Sequence, residues 1–354
     1  MSSTNEQIKE EYSHYRYLKV LFIIGCILLG ILFFFISLCV GTRSLSVAEV
    51  FSLFIDHILG NITPEMEYDD HIVWDFRVPR GLFDVIAGVS LSIGGAVMQS
   101  VMKNPLADPY TTGVSSGALF GVAVAMILGF NVTGSGSFGS VFNAILFSML
   151  PIAMIVVMAP FFRKSPATLI LAGVAVSYLL NSFTSLLMVS TDAGSLASVY
   201  SWMVGNFADK TWDIIPLSLT ITVVGLAILL PLANKLNIMA LDDKSAKSLG
   251  VNVESLRVLC LVILGIMTAV IISYVGIVAF VGLVVPHIIR LILGADNKYL
   301  LPASAAFGAT FLLGCDILSR SLDIGASIPV GVVTSAIGAP IFMYLIIRQR
   351  RSMW

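Results

Sequence analysis

Charged residues are scarce in this sequence. Asp, Glu, Lys and Arg together make up 12% of its 354 residues, against roughly 25% in a soluble domain. Hydrophobic residues make up 57%, so a soluble globular protein is excluded and an integral membrane protein is indicated. The net charge of −1 provides no general attraction to nucleic acid, and no nucleic-acid partner is expected.

Motifs for catalysis, metal binding and nucleotide binding are absent from the sequence. Its four cysteines have no CxxC spacing and lie in or beside apolar runs, where they act as small hydrophobic residues. There is no HExxH motif, no pair of carboxylates suited to chemistry, and no GxxxxGKS or GxxxxGKT phosphate loop. We therefore expect no enzyme active site, cofactor or metal in this chain, and any energy for transport must come from another protein.

Long uncharged runs account for most of the chain. The first, residues 20–42, is long enough to cross a hydrocarbon core of about 30 Å. It is too long for a signal-peptide core of roughly 7 to 15 residues, so we interpret it as a retained span. Charges and turn-forming residues divide the other runs and predict an all-α protein with ten transmembrane helices. The remaining nine are residues 85–102, 114–128, 141–162, 168–189, 214–232, the two halves of 258–289 on either side of a turn at 274–276, 300–318 and 328–347.

Three segments between the spans carry helical patterns of their own. Residues 47–59 predict a short amphipathic helix within a polar, acidic loop. Residues 192–210 are too polar to cross the bilayer and predict a helix at the membrane surface. Residues 234–257 contain Asp242 and Asp243, then lysines and Gly250, which is typical of a short helix with an acidic start and a glycine stop.

The distribution of positive charge orients the predicted bundle. With the N-terminus inside, 15 of the 20 Lys and Arg residues lie on the inside, as the positive-inside rule requires. An odd number of spans would remove this bias, so both termini are expected to be cytoplasmic. On this basis we name the two sides of the bundle the inner end and the outer end. The five positive residues at the outer end are Arg43, Arg77, Arg80, Lys210 and Arg320.

Ten spans also permit an internal repeat. Spans two to five begin outside and spans seven to ten begin inside, so a two-fold axis in the membrane plane could relate the two blocks, as in many transporters. No letter-for-letter repeat is visible between them. We expect one transmembrane domain over residues 1–354, with residues 234–257 as a cytoplasmic loop within it.

Small residues are concentrated in the stretch 77–121, where Gly, Ser and Ala allow membrane helices to approach closely. It contains R-V-P-R, S-I-G-G-A-V-M-Q, N-P-L-A-D-P and G-V-S-S-G-A in that order. V-P-H-I-I-R follows at 285–290, P-V-G-V-V-T at 329–334 and G-A-P at 338–340. Taken together and in this order, these motifs resemble the permease subunits of type II ABC importers, the family that takes up ferric siderophores, haem and cobalamin.

The resemblance implies a protein of the bacterial or archaeal cytoplasmic membrane that works with other chains. These are a dimer of ATPase subunits that bind ATP and Mg, a second permease chain of the same or a paralogous sequence, and an extracellular or periplasmic substrate-binding protein. The implied substrate is a ferric siderophore, with cobalamin or haem as the alternatives. The pathway would lie between the two permeases, lined by small residues and Met from spans five and ten.

Two groups of site residues follow from the resemblance. The first, on the short helix, would couple to the ATPase: Asp242, Asp243, Lys244, Ala246, Leu249 and Gly250. Many relatives have Gly-Glu in place of Asp242-Asp243, and a solvated linker is the alternative interpretation of this segment. The second group, expected to meet acidic residues of the binding protein, is Arg77, Arg80 and Arg320. The alternative for these arginines is local neutralisation, of Arg80 by Asp84 and of Arg320 by Asp316, at helical spacing.

His287 and Arg290, near the inner end of span eight, have two interpretations. Ionisable residues in a span suggest a proton relay, whereas a helix-end pair that snorkels to the interface is the simpler interpretation. Gln99, Ser115 and Ser116 are interpreted as groups that form hydrogen bonds between helices rather than as part of the pathway. A secondary transporter driven by an ion gradient is the alternative of another class, but it requires buried acidic residues, and we expect no Asp or Glu at mid-span positions.

Overall fold

The computed structural model describes residues 2–43, 45–132, 137–158, 166–208, 210–322 and 328–350, and the regular elements within these ranges are all helical. A π-helical turn, Ile72–Arg77, joins α3 to α4 without a break. The α-helices are α1 Ser2–Cys39, α2 Val47–Leu59, α3 Glu67–His71, α4 Val78–Met102, α5 Val114–Leu128, α6 Ser137–Met158, α7 Pro166–Val189, α8 Ala193–Met203, α9 Ile215–Leu229, α10 Ala233–Met239, α11 Asp243–Ser248, α12 Val253–Val275, α13 Val281–Leu293, α14 Asn297–Ser321 and α15 Val330–Arg350.

The helices match the ten predicted spans. Within the described residues, eight helical stretches are long and apolar enough to cross a membrane, and the shorter apolar helices α5 and α13 complete the ten. The predicted start of the second span is wrong, because the helical stretch runs from Glu67 to Met102 rather than from residue 85. The outer half of this helical stretch contains charged residues, the last of which is Asp84. A prediction from uncharged runs therefore starts the span only after that residue.

Helix α4 lies at the centre of the bundle and is buried along most of its length. Two of its glycines face other backbones: a Cβ at Gly88 would overlap the backbone of Gly308, and a Cβ at Gly95 would overlap the carbonyl oxygen of Gly282. Lipid offers no hydrophobic driving force between helices, so small residues that permit close backbone approach hold α4 against α13 and α14. The small-residue stretch noted in the sequence is therefore the central contact of the fold.

The bundle contains two four-helix blocks, and the first helix of each block packs against the other block. The first block, α4 to α7, has helices of 25, 15, 22 and 24 residues, and the second, α12 to α15, has helices of 23, 13, 25 and 21. Helix α4 packs on α13 and α14 of the second block, while α12 packs on α5 and α6 of the first. This reciprocal packing, together with the shared order of long and short helices, is consistent with the pseudo-two-fold repeat that the sequence permits.

Candidate functional site

The segment 234–257 at the inner end folds as predicted around the short helix α11. Asp242 caps its start, and its carboxylate accepts hydrogen bonds from the backbone N–H groups of Lys244 and Ser245. Gly250 follows the helix with φ +82°, a left-handed conformation that glycine adopts without steric cost. The acidic start and the glycine stop read from the sequence are thus the two caps of this helix.

Asp243 ties α11 to the bundle. Lys103, at the end of α4, lies 2.7 Å from its carboxylate and also donates to the carbonyl of Leu241. Arg257 of α12 lies 3.5 Å from the other carboxylate oxygen. Partial burial raises the pKa of Asp243, but the hydrogen bond from Lys103 and the charges of Arg257 and Lys103 bring it below its ordinary value. The stabilisation from these pairs is present above the ordinary carboxyl pKa and is lost only as pH falls through the lowered value.

The surface of α11 divides into a buried and an exposed part. Ala246 is 0% exposed and packs in the hydrophobic core of the chain, so it holds the helix in place from within. Leu249 is 60% exposed, and Asp242, Lys244 and Gly250 are exposed beside it.

The five positive residues predicted for the outer end line a single cavity of about 380 Å³. Two of them bind the end of α1. Arg77 donates to the carbonyls of Leu38 and Arg43, at 2.7 and 2.5 Å. Arg320 donates to the carbonyls of Ser37 and Val40, at 2.8 and 2.7 Å. Because the last carbonyls of a helix have no partners within it, these guanidinium groups satisfy two carbonyls in the last turn of α1 and two in the residues that follow it.

Arg80 and Arg320 share one buried carboxylate. Arg80 donates two hydrogen bonds to Asp316, at 2.6 and 3.0 Å, and Arg320 lies 2.6 Å from its other oxygen. In the alternative interpretation of these arginines, the pair of Arg320 with Asp316 is confirmed. The pair of Arg80 with Asp84 is wrong, because Arg80 donates to Asp316 of α14 instead.

Asp84 and Asp316 are both fully buried at 0% exposed, within the stretches Glu67–Met102 and Asn297–Ser321. The expectation that mid-span positions hold no Asp or Glu is wrong for Asp84, because the predicted second span began one residue after it. Asp316 lay within the predicted span 300–318, close to its outer end. The Asp84 carboxyl group faces that of Asp316, and neither of its oxygens accepts a hydrogen bond from the described residues.

A second polar cavity, which we name the inner cavity, lies at the other end of the bundle and also measures about 380 Å³. His287 and Arg290 of α13 line it together with Gln99 and Lys103 of the α4 end. His287 is only 3% exposed, so the snorkelling interpretation is wrong for its side chain. Gln99 donates to the carbonyl of Leu283 on α13 at 3.4 Å, which confirms the contact between helices for this residue. Among the described residues, Ser115 and Ser116 form no such side-chain hydrogen bond.

The sequence did not reveal several of these contacts. Lys103 is the only Lys or Arg between Arg80 and Arg163, and an isolated cation beside a turn was a sign that it has a specific partner. Asp316 gave no comparable sign, because Asp84 offered Arg80 a nearer partner along the chain. The binding of α1 by Arg77 and Arg320 depends on how the helices pack, which local patterns do not encode.

The fold, with its exposed inner helix and its cationic outer cavity, defines a multi-pass membrane transport subunit. The chain matches the model of the FecCD transport family over residues 28–348 and belongs to that family of ABC importer permeases. An ABC transporter permease protein of Methanocaldococcus jannaschii is 34% identical over 353 residues, covering 97% of this chain and 98% of the relative. The molybdate import system permease protein of Haemophilus influenzae is 34% identical over 340 residues, covering 95% and 97%.

A solved structure, of a metal-chelate type ABC transporter in an inward-facing conformation, matches with a TM-score of 0.80 and 31% identity. The match covers 93% of this chain and 99% of that one. Further relatives are named for import of cobalamin, hemin and Fe(3+)-citrate. The chain is therefore a transport component of an ABC importer.

Proposed function

We propose that this chain imports a ferric siderophore across the cytoplasmic membrane, as one of two permease chains driven by a separate ATPase dimer. Cobalamin and haem are the alternative substrates. Both termini are placed in the cytoplasm, with α11 toward the ATPase and the outer cavity toward a substrate-binding protein. Support for a metal chelate comes from the metal-chelate transporter of similar fold and from relatives named for iron, haem and cobalamin import.

The observation that carries this proposal is the exposed surface of α7 and α15. Helix α7 exposes Asn181, Ser182 and Ser185, in a span of which only 22% of the most apolar window is buried. Polar groups facing hydrocarbon are costly and are found against protein or water instead. Helix α15 exposes Ala336 and Met343, the residue types expected along a chelate pathway. We place these faces against a second permease chain, with the pathway between the two.

The contacts of Asp243 provide a route from the ATPase to the pathway. Movement of α11 acts directly on α4 through Lys103 and on α12 through Arg257. These are the first helices of the two blocks, and each packs into the other block. Displacement of α11 by ATP-driven closure of the ATPase would therefore reach both halves of the permease.

Reconstituted uptake tests the proposed substrate. The chain, the ATPase and the binding protein encoded nearest to it are placed in proteoliposomes, with ATP inside. Uptake of radioactive iron chelated by a siderophore is compared with uptake of cobalamin, haem and molybdate. We expect ATP-dependent uptake of the ferric siderophore. ATP-dependent uptake of another substrate alone would reassign the substrate, and uptake driven by an ion gradient without ATP would contradict the proposed mechanism.

Leu249→Asp is expected to leave the permease folded but to remove the ATPase during purification. Leu249 already meets water in the free chain, whereas a carboxylate covered by a partner is costly unless it is paired. A tenfold loss of affinity corresponds to about 1.4 kcal/mol, and we expect at least that. The measurement is the molar ratio of ATPase to permease after co-purification. Leu59→Asp, at a leucine that is 64% exposed at the outer end, is the control and should retain the ATPase, and a normal ratio for Leu249→Asp would count against the coupling role.

We propose that the outer cavity receives acidic residues of the binding protein, through the field of Arg77, Arg80 and Arg320. Arg80→Gln is expected to weaken binding more than tenfold, which corresponds to about 1.4 kcal/mol. Arg43→Gln removes a charge from the same cavity while breaking only an exposed pair with Asp69, so it separates docking from folding. Added salt should weaken wild-type binding, because screening reduces attraction between exposed charges.

Titration of each permease with the binding protein at low and high salt measures this effect. His71→Gln is the control, because His71 is exposed at the outer end and does not line the cavity. If Arg80→Gln and Arg43→Gln both bind like wild type, the arginines serve only the helix ends, and docking must be sought elsewhere on the outer surface.

A further inference from the structure

The inner cavity contains buried polar groups that find no partner within the described residues. Both ring nitrogens of His287, the Nε and Nη2 atoms of Arg290 and the Oε1 atom of Gln99 are buried without a hydrogen bond. All three side chains line the cavity, which measures about 380 Å³. Buried polar groups are nearly always satisfied, and an orphaned group commonly marks the place of an ion or water.

The charges that face this cavity are positive. Lys103 enters from the end of α4 and Arg290 from α13, and none of the described residues that line the cavity is acidic. The nearest carboxylates are already engaged: Asp243 pairs with Lys103 and Arg257, and Asp296 accepts from Asn237 and from the backbone of Lys298. A ligand for the nitrogens of Arg290 and His287 must therefore bring negative charge and several acceptor oxygens, whereas the Oε1 atom of Gln99 needs a donor, such as a hydroxyl group on the same ligand.

We propose that the inner cavity binds a phosphate-type oxyanion at the inner end of the permease. The guanidinium group of Arg290 supplies two free nitrogens, which suits the planar, bidentate binding of phosphate oxygens. Lys103 lines the cavity but is already paired with Asp243, and His287 adds a ring nitrogen that can donate. Asn104 lies on the cavity wall as a further polar group.

Two sources can supply this chemistry. Basic pockets between transmembrane helices on the cytoplasmic side bind the phosphates of anionic lipid headgroups, and free phosphate is the other source. Leu291 lines the cavity and is largely exposed, so an apolar surface borders its opening. The site is separate from the outer cavity and the proposed pathway face, so it does not depend on the identity of the imported substrate.

Ligand binding to the full-length chain, stripped of lipid in a neutral detergent, tests the proposal. Thermal unfolding is followed while inorganic phosphate, dioleoylphosphatidylglycerol or dioleoylphosphatidylcholine is added at constant ionic strength. We expect a saturable rise in unfolding temperature with phosphate or with the anionic lipid, and native mass spectrometry should show one bound molecule per chain. Stabilisation by the anionic lipid alone assigns the site to the bilayer, and stabilisation by phosphate alone assigns it to a soluble anion.

Variants locate the binding in the inner cavity. Arg290→Gln should lower the apparent affinity at least tenfold, and Arg290→Lys, which keeps the charge but loses the fork of donors, should lower it less. Lys298→Gln is the matched control, since this exposed lysine lies at the same end of the bundle but does not line the cavity. The wild-type titration remains decisive if a variant does not fold. No saturable binding of either ligand to wild type, or unchanged binding in Arg290→Gln, overturns the proposal.

Discussion

Asp316→Asn is expected to destabilise the bundle by roughly 3 to 5 kcal/mol, as is typical when one partner of a buried ion pair is removed. The carboxylate of Asp316 is fully buried and receives both Arg80 and Arg320. An amide at this position offers the two partly buried guanidinium groups of Arg80 and Arg320 one neutral acceptor oxygen, and its NH₂ group lies against a donor. Equilibrium unfolding in mixed detergent micelles measures the change.

Asp84→Asn serves as the contrasting variant at the same cluster. Asp84 accepts no hydrogen bond from the described residues and faces Asp316, so an amide there supplies a donor to that carboxylate. We expect a change within about 1 kcal/mol, the net value of one hydrogen bond. Asp69→Asn, which breaks the exposed pair with Arg43, should cost less than about 1 kcal/mol. Equal effects for Asp316→Asn and Asp69→Asn would show that the buried cluster is not a stabilising unit.

Gly95→Ala is expected to cost about 3 kcal/mol or more, at the upper end of values for overpacked cores. The added methyl group would overlap the carbonyl oxygen of Gly282, and a backbone atom can move aside only if α4 and α13 separate. The folded yield after membrane extraction and the unfolding midpoint both report this loss. Separation of these helices also disturbs Gln99, which donates to the carbonyl of Leu283 on α13.

Gly25→Ala is the matched control for this prediction. Gly25 lies in α1, and a Cβ there meets nothing within 4 Å. Because alanine favours the helix over glycine by up to about 1 kcal/mol, the variant should be neutral or slightly more stable. If Gly95→Ala unfolds at the same midpoint as Gly25→Ala, the close packing of α4 on α13 does not limit stability.

Local patterns predicted local features well. The bounds of α2 match the predicted residues 47–59, since Ser46 and Glu49 form a capping box at its start and Gly60 ends it. The turn at 274–276 was also correct, because α12 stops at Val275 and Gly276 takes a positive φ of 79°. In each case, a few neighbouring residues determine the backbone conformation.

Features that depend on distant residues were missed or misassigned. Arg80 lies 236 positions from Asp316 in the sequence, and Lys103 lies 140 positions from Asp243. Helical spacing favoured the nearer Asp84 as the partner of Arg80, but the packing of α14 on α4 provided another carboxylate. Local sequence patterns do not indicate pairs so far apart along the chain. The contacts of Arg80 with Asp316 and of Lys103 with Asp243 are therefore seen only in the structure.

The packing of α4 against the second block has a consequence for the order in which the protein assembles. Helix α4 is synthesised long before α13 and α14. Until those helices are made, Asp84 and the glycines of α4 lack their native contacts. The first block reaches its native packing only when the second block arrives. Substitutions in α13 and α14 are therefore expected to disturb the packing of α4, although α4 lies in the first third of the chain.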